Sequence, residues 1–408
     1  MTDAHTHTPL WLLLLPRPPT EVTLNTLRIS YGPGLTRALR DASGISRNSD
    51  GDVQLDIAVA SDAIQKFHYS TLQNLYGLMY KLICIICTEE SIDLQYGNDV
   101  DARVIVFPYY QHRHDTHNAG WGISLQSLAL LNRPWTTICS LESENGEEML
   151  QLFLRTRTAS NQEHEKSFEV VRLPGGLSIR SDTRPDGGAA ATQAKASDQF
   201  TSVAVGGTFD HLHAGHKLLL TMTALLLQPH GESRLQNERI LTVGITGDVL
   251  LQKKKYREDL EGWDQRQSRV QNFLLSILGM ISPNQILQHT QDIPGSKSQG
   301  REIHNELQSG LKIKCVEIFD PCGPTITDPA IKALVVSTET RAGGKAVNDT
   351  REEKDWPALE VFEVDVLNAK EDESEEAKHR QASFEGKISS TGIRLKIHQK
   401  RNSSTGTT

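Results

Sequence analysis

Apolar positions along the chain fall into short runs and helical stripes that alternate from one end to the other. Six apolar residues, Leu10 to Leu15, stop at Pro16-Arg17-Pro18-Pro19 and predict a buried strand, since proline has no N–H with which to continue a helix. Thr20 to Asp41 carries helical patches, expected to break at Gly32-Pro33-Gly34. Val53 to Ala60 reads as a strand. Tyr69 to Glu89 places Leu72, Leu75, Leu78, Met79, Leu82, Ile83 and Ile86 near a 3.6 period and predicts a helix. Arg103 to Phe107 and Trp135 to Ser140 are two more strand candidates. Strand alternating with helix predicts a small α/β domain over residues 1–180.

The second half repeats the alternation with stronger signals. Strands are predicted around Val203 and Val205, at Arg239 to Thr246, Lys314 to Asp320, Ala333 to Ser337 and Leu359 to Val366. Helices are predicted at Lys217 to Leu227 and from Asp264 through Phe273, Leu274 and Ile277. Ala-Leu-Val-Val-Ser has the continuous apolar character of a strand buried on both faces. Several strands end in polar or glycine-containing turns, Thr338 to Gly344 among them. The expected fold is a doubly wound parallel sheet that binds ligand beyond the carboxyl ends of its strands. Residues 181–198 (Ser-Asp-Thr-Arg-Pro-Asp-Gly-Gly and onward) have little to bury and read as a flexible linker; residues 401–408 read as a polar tail after a domain at 199–400.

Length and charge narrow the picture. A chain of 408 residues is too long for one ordinary domain, and a net charge of −8 argues against nucleic acid as a partner. No run of eighteen apolar residues occurs, and Leu10 to Leu15 lacks the length and charged start of a signal peptide, so neither a membrane nor export is expected. Five cysteines form no even framework, which suits a reducing compartment and a cytoplasmic location. Cys84 and Cys87 have the spacing of a half-site but sit inside an apolar helix, and core thiols are expected. His112, His114 and His117 lie close enough in sequence to bind a metal, but no further ligand is suggested, so an exposed polar loop and no metal site are expected.

Chemistry concentrates in Val203 to His216. A β-branched run stops at Gly206-Gly207, passes Thr208, Phe209 and Asp210, and reaches His213-Ala-Gly215-His216 at the start of a helix. Glycine has no Cβ, so Gly206 and Gly207 are expected to allow positive φ and a close approach of backbone N–H groups to an anion. The helix adds unpaired N–H groups and the positive end of its dipole. His213 and His216, three residues apart, can both face that anion and donate to a phosphoryl oxygen. A Gly-Gly turn alone is as well a tight connection; the whole string favours the phosphate site. Asp248, just past a strand, is placed to touch ligand or to cap the next helix. Lys253, Lys254 and Lys255 form a basic cluster: a solvated face, or a source of one lysine for a phosphate. Ser389-Ser390-Thr391, with Arg394 one turn in, reads as a second helix N-terminus, offering either an anion site or an ordinary cap.

Together the Gly-Gly-Thr-Phe-Asp turn with His-Ala-Gly-His and the later Ile-Ser-Ser-Thr-Gly-Ile-Arg resemble the HxGH nucleotidyltransferase superfamily, which has a Rossmann-like fold. Asp320-Pro-Cys-Gly-Pro-Thr-Ile-Thr-Asp328-Pro and Val336-Ser-Thr-Glu-Thr-Arg-Ala-Gly-Gly344 are similar to the eukaryotic, fungal-like phosphopantetheine adenylyltransferases. What the resemblance implies is adenylyl transfer from ATP, with Mg²⁺, to 4′-phosphopantetheine in coenzyme A biosynthesis. It would assign His216, His213 and Thr208 to catalysis, and Gly206, Gly207, Phe209, Gly215, Ser389, Ser390, Thr391 and Arg394 to ATP. One of Lys253, Lys254 and Lys255 would hold the acceptor phosphate. Bacterial members carry an arginine pair where this chain has Ser337-Thr-Glu-Thr-Arg341, and no Gly-x-x-x-x-Gly-Lys-Ser/Thr kinase loop follows, so other coenzyme A pathway enzymes are expected as partners. The competing readings are a different HxGH enzyme, such as a cytidylyltransferase or nicotinate-nucleotide adenylyltransferase, and a scaffold organised by the N-terminal domain.

Overall fold

The computed structural model describes residues 8–48, 51–94, 99–109, 123–159, 168–177, 199–229, 238–281, 291–293, 300–307, 310–365 and 388–405. The expected linker at 181–198 and the histidines at 112, 114 and 117 lie outside the described residues. The chain divides into two compact units, Met1–Ala196 and Ser197–Thr408.

Unit 1 is built on five strands, β1 (Leu10–Leu15), β2 (Val53–Ala60), β3 (Val100–Phe107), β4 (Thr137–Leu141) and β5 (Glu169–Leu173), all parallel, in the order β3-β2-β1-β4-β5. Its helices are α1 (Leu24–Asn48), α2 (Ala63–Lys66), α3 (Tyr69–Glu89), α4 (Leu125–Ala129) and α5 (Glu144–Ala159). Leu12 to Leu15 have no exposed surface, as a central strand covered on both faces requires. Each contributes roughly 1.5–3 kcal/mol by burial. Cys84 and Cys87 are buried in α3 as core thiols.

The expected break at Gly32-Pro33-Gly34 does not occur: α1 runs through Pro33. Proline leaves the carbonyl four residues back, that of Ile29, without its helical donor. The chain at Gly175-Gly176 packs onto this spot. Gly176 N–H donates to the Ser30 carbonyl at 3.2 Å, and a Cβ on Gly176 would lie 2.0 Å from the Ile29 carbonyl oxygen. Tertiary contact thus carries the helix past its proline. Helix α5 and strand β5 were not anticipated either; β5 is a largely uncovered edge with a weak alternation.

Unit 2 has seven strands: β6 (Ser202–Gly207), β7 (Arg239–Thr246), β8 (Gln291–Ile293), β9 (Glu302–Glu306), β10 (Leu311–Ile318), β11 (Ala333–Ser337) and β12 (Glu360–Val364). Their order is β12-β11-β6-β7-β10-β9-β8; five pair in parallel, and β8 and β9 add an antiparallel edge. The doubly wound α/β fold is present, with a mixed sheet in place of a purely parallel one. Glu-Ile-His-Asn-Glu in β9 is too polar to read as a strand; it lies between β10 and the short edge strand β8, with only Asn305 fully buried. The helices are α6 (Ala214–Leu225), α7 (Trp263–Ile281), α8 (Arg341–Glu352) and α9 (Ser390–Thr405).

Two further expectations change. Thr338 to Gly344 is not a glycine loop: a short 3-10 turn leads directly into α8. Ser337 and Thr340 cap that turn reciprocally, and a Cβ on Gly344 would come within 2.9 Å of Val361, so this glycine serves helix-to-sheet packing. Residues 401–405 continue α9, and Arg401 pairs with Asp259 at 2.7 Å, so they belong to the fold of unit 2 and not to a tail.

Candidate active site

In unit 2 the chain winds outward from β6 in both directions, to β7 and β10 on one side and to β11 and β12 on the other. The switch point lies at the carboxyl end of β6, where doubly wound folds bind ligands. Gly206 and Gly207 are the last two residues of that strand.

Neither glycine takes a positive φ. The left-handed positions are Phe209 (φ 52) and His211 (φ 47), two non-glycine residues flanking Asp210. Such conformations cost about 1–2 kcal/mol each and persist only where neighbours enforce them. Gly207 is needed for a different reason: a Cβ would lie 3.1 Å from the Phe209 ring. Around Gly206 nothing lies within 4 Å of a Cβ, and the residue is exposed at the mouth of the site. Phe209 has no exposed surface and packs its ring 5.3 Å from that of His216. Its ring supports the site from beneath.

His213 is the N-cap of α6, accepting from the His216 N–H through Nδ1 at 3.4 Å. Its proton therefore sits on Nε2, 3.4 Å from Ser390 Oγ, which in turn donates to the Asp210 carbonyl at 2.8 Å. The two imidazoles stack with centroids 3.7 Å apart and planes 19° from parallel. Gly215 leaves room for this, since a Cβ there would press on the His213 ring at 3.3 Å. Burial pulls His216 down to about 3, helped by His211, and pulls His213 well below the usual histidine range, helped by His216, Lys217 and His211. Both rings are neutral at pH 7, and His216 Nδ1 is buried without a hydrogen-bond partner.

The second motif lands beside the first. Ser389 caps α9, accepting from Gly392 N–H at 3.5 Å and, through its carbonyl, from Ile393 N–H at 2.9 Å. Ser390 bridges to Asp210 and His213. The N-termini of α6 and α9 therefore meet across one hydroxyl, next to the Gly-Gly strand end. Two helix dipoles converging there give a geometry that can receive an anion. Thr391 is exposed, while Arg394 is 2% exposed with its guanidinium turned inward. Lys253, Lys254 and Lys255 are exposed beyond the short turn Asp248–Leu251, and the Lys255 carbonyl accepts from Arg394 Nε at 3.0 Å. Asp248 caps α7, accepting from Trp263 N–H at 3.2 Å, which fulfils the capping alternative.

Four residues of the site escaped sequence reasoning as functional positions. Arg266 has a fully buried side chain and donates to the carbonyls of Thr208 (2.6 Å), Thr246 (2.8 Å) and Glu261 (2.9 Å) and to Asp248 (2.6 Å), so it fixes Thr208 from behind. Asp210, fully buried, accepts from Glu261 N–H at 3.0 Å and from Arg394. His211 reaches the Asp259 carbonyl at 2.8 Å, and its N–H donates to Glu261 at 3.0 Å. Glu261, buried and held by Arg269, completes this support; burial raises its carboxyl above the usual range. Charged residues inside the motif and at the start of α7 were the available signal, but which of them turn inward depends on tertiary packing.

The fold defines a class: a Rossmann-like α/β protein in which two helix N-termini meet at the switch point of the sheet. Residues 1–179 match a family described as a domain of unknown function (DUF8446). An uncharacterized protein of Schizosaccharomyces pombe is 37% identical over 164 residues, 40% of this chain and 39% of that protein. A Saccharomyces cerevisiae protein named phosphopantetheine adenylyltransferase is 34% identical over 200 residues, 49% of this chain and 50% of that protein. A Pyrobaculum aerophilum protein of the same name is 27% identical over 169 residues, 41% of this chain and 82% of that protein. The chain spans half the length or less of the first two relatives. Among the described residues, no helix is long and apolar enough to cross a membrane.

Proposed function

We propose that unit 2 is a phosphopantetheine adenylyltransferase of the eukaryotic, fungal-like type, transferring AMP from ATP to 4′-phosphopantetheine to give dephospho-CoA and pyrophosphate. The observation that carries this reading is the meeting of α6 and α9 N-termini at the β6 strand end, with two uncharged histidines between them. The names of the S. cerevisiae and P. aerophilum relatives support the choice of acceptor.

In the proposed step a phosphate oxygen of the acceptor attacks the α-phosphorus of ATP, the bond to the β-phosphate oxygen breaks, and pyrophosphate leaves with the electron pair. Such a displacement needs alignment and charge stabilisation more than proton transfer. His216 donates to a non-bridging oxygen as charge builds there; neutral, it does so without titrating near pH 7. His213 and Thr208 set the geometry of the strand end. Gly206, Gly215, Ser389 and Thr391 line the triphosphate side, and one of Lys253, Lys254 and Lys255 holds the acceptor phosphate. Mg²⁺ enters as part of the ATP substrate. Asp210, the carboxylate of the first motif, is sealed against Arg394 and Glu261 N–H, so the ion fits on substrate phosphates and not on that side chain. Localisation in the cytoplasm, and other coenzyme A pathway enzymes as partners, belong to the same reading.

The test is pyrophosphate release with ATP and 4′-phosphopantetheine, run beside nicotinate mononucleotide with ATP and beside CTP with phosphorylated alcohols. Turnover with phosphopantetheine at least a hundredfold above the others is expected. Preference for another pair would end the proposal.

A further inference from the structure

We propose that Arg394 is a positioning residue that shapes the active-site turn through Asp210 and does not bind the ATP phosphates. The claim rests on unit 2 being an adenylyltransferase. Every nitrogen of this guanidinium has a protein acceptor: Nε has the Lys255 carbonyl at 3.0 Å, Nη2 the Thr391 hydroxyl at 3.2 Å, and Nη1 the Asp210 carboxylate. Arg394 is only 2% exposed, so turning its guanidinium out to a phosphate would pull it away from a carboxylate that has no exposed surface, a strongly unfavourable exchange.

What the ion pair controls follows from where Asp210 sits. Its neighbours on both sides, Phe209 and His211, are left-handed, so the turn between Thr208 and His213 holds its shape only while Asp210 is fixed. Asp210 is fixed at three points: Oδ2 by Arg394, Oδ1 by Glu261 N–H at 3.0 Å, and its carbonyl by Ser390 Oγ at 2.8 Å. Two of these come from α9, 180 and 184 residues away in sequence. The same guanidinium holds the lysine segment by the Lys255 carbonyl. One side chain therefore sets the first motif, the lysine segment and the last helix in register. Arginine is required because its planar fork serves three acceptors in fixed directions, whereas a lysine ammonium is a single point charge.

The experiment uses the full-length protein with R394M, R394K, D210N and R394M/D210N, assayed for adenylyl transfer and by NMR of the His213 and His216 imidazoles. For R394M, kcat should fall tenfold or more while KM for ATP stays within threefold. R394K should recover only part of that loss, and the double variant should lose no more than the worse single. Both R394M and D210N should displace the two histidine resonances. A tenfold rise in KM for ATP with kcat retained, multiplicative losses in the double variant, or unmoved histidine resonances would overturn the proposal. Should R394M fail to fold, R394K carries the same kcat against KM comparison. If the wild type makes no dephospho-CoA, the reaction assignment fails, and the histidine resonances still decide the positioning claim.

Discussion

The two units share a topology and differ in what they do with its switch point. Counting only parallel strands in chain order, each sheet runs third, second, first, fourth, fifth, so each has a crevice beside its first strand. In unit 2 that strand ends in Gly206-Gly207 and leads within seven residues to α6. In unit 1 it ends in Pro16-Arg17-Pro18-Pro19, which removes three backbone donors where an anion would need them. Arg17 is engaged by the Tyr109 carbonyl and Asp62, and the Pro16 carbonyl by the Tyr31 hydroxyl at 2.5 Å. Across the crevice, α5 opens with Glu144 and Glu147, whose charges already answer its dipole. Topology supplies a place for a ligand; glycines, unoccupied N–H groups and the sign of nearby charge decide whether a phosphate can use it.

The contrast can be broken or sharpened, beginning with the largest effect. Asp56, fully buried in unit 1, accepts from Arg133 at 2.7 and 3.1 Å, Trp135 at 2.9 Å and Gln54 at 3.0 Å. Asp56→Ala should remove about 3–5 kcal/mol from denaturant-monitored stability, because the half-buried Arg133 guanidinium and the buried Trp135 indole N–H lose a shared acceptor. Loss under 1 kcal/mol would mean this network is not structural. His216→Ala should lower turnover on the order of a hundredfold or more, the usual result of losing a donor to a transition-state oxyanion, with unit 1 unaffected. Retention of half the turnover would remove His216 from the mechanism.

Smaller effects follow. In Gly207→Ala a methyl meets the Phe209 ring at 3.1 Å, and turnover should fall about tenfold, or roughly 1.4 kcal/mol, with the fold intact by circular dichroism. As for pH, unfolded histidines bind protons near 6.5 while His213 and His216 stay neutral in the fold. The unfolded state then binds more protons below that pH, so stability falls as pH drops from 6.5, by up to about 1.4 kcal/mol per unit for each ring. Urea unfolding at pH 7, 6 and 5.5 measures this, and His216→Ala should flatten the slope. Arg17→Ala in unit 1 should leave adenylyl transfer within twofold.

Legibility in the sequence followed the range of the interactions. Strands buried on both faces, such as Leu10–Leu15 and Ala333–Ser337, announce themselves by unbroken apolar runs, and the start of α9 by its Ser389-Ser390-Thr391 run, whereas the capping role of His213 on α6 was not legible. Helix α1 passing through Pro33 was not legible, because it depends on Gly176, more than 140 residues on. In the site, the stacked histidines follow from local spacing, whereas the inward turn of Arg394 and the burial of Phe209 do not. An arginine beside a serine-rich cap reads as a phosphate ligand until the buried carboxylate opposite it is known. The left-handed Phe209 and His211 next to two available glycines show the same limit: composition tells where strain can be avoided, and packing decides where it is held.

The most direct measurement is hydrogen exchange read by mass spectrometry with and without Mg-ATP. Protection confined to the amides of residues 206–216 and 389–394, with 15–23 and 141–147 in unit 1 unchanged, is the predicted result. Protection at the unit 1 crevice, or none at the meeting of α6 and α9, would contradict it.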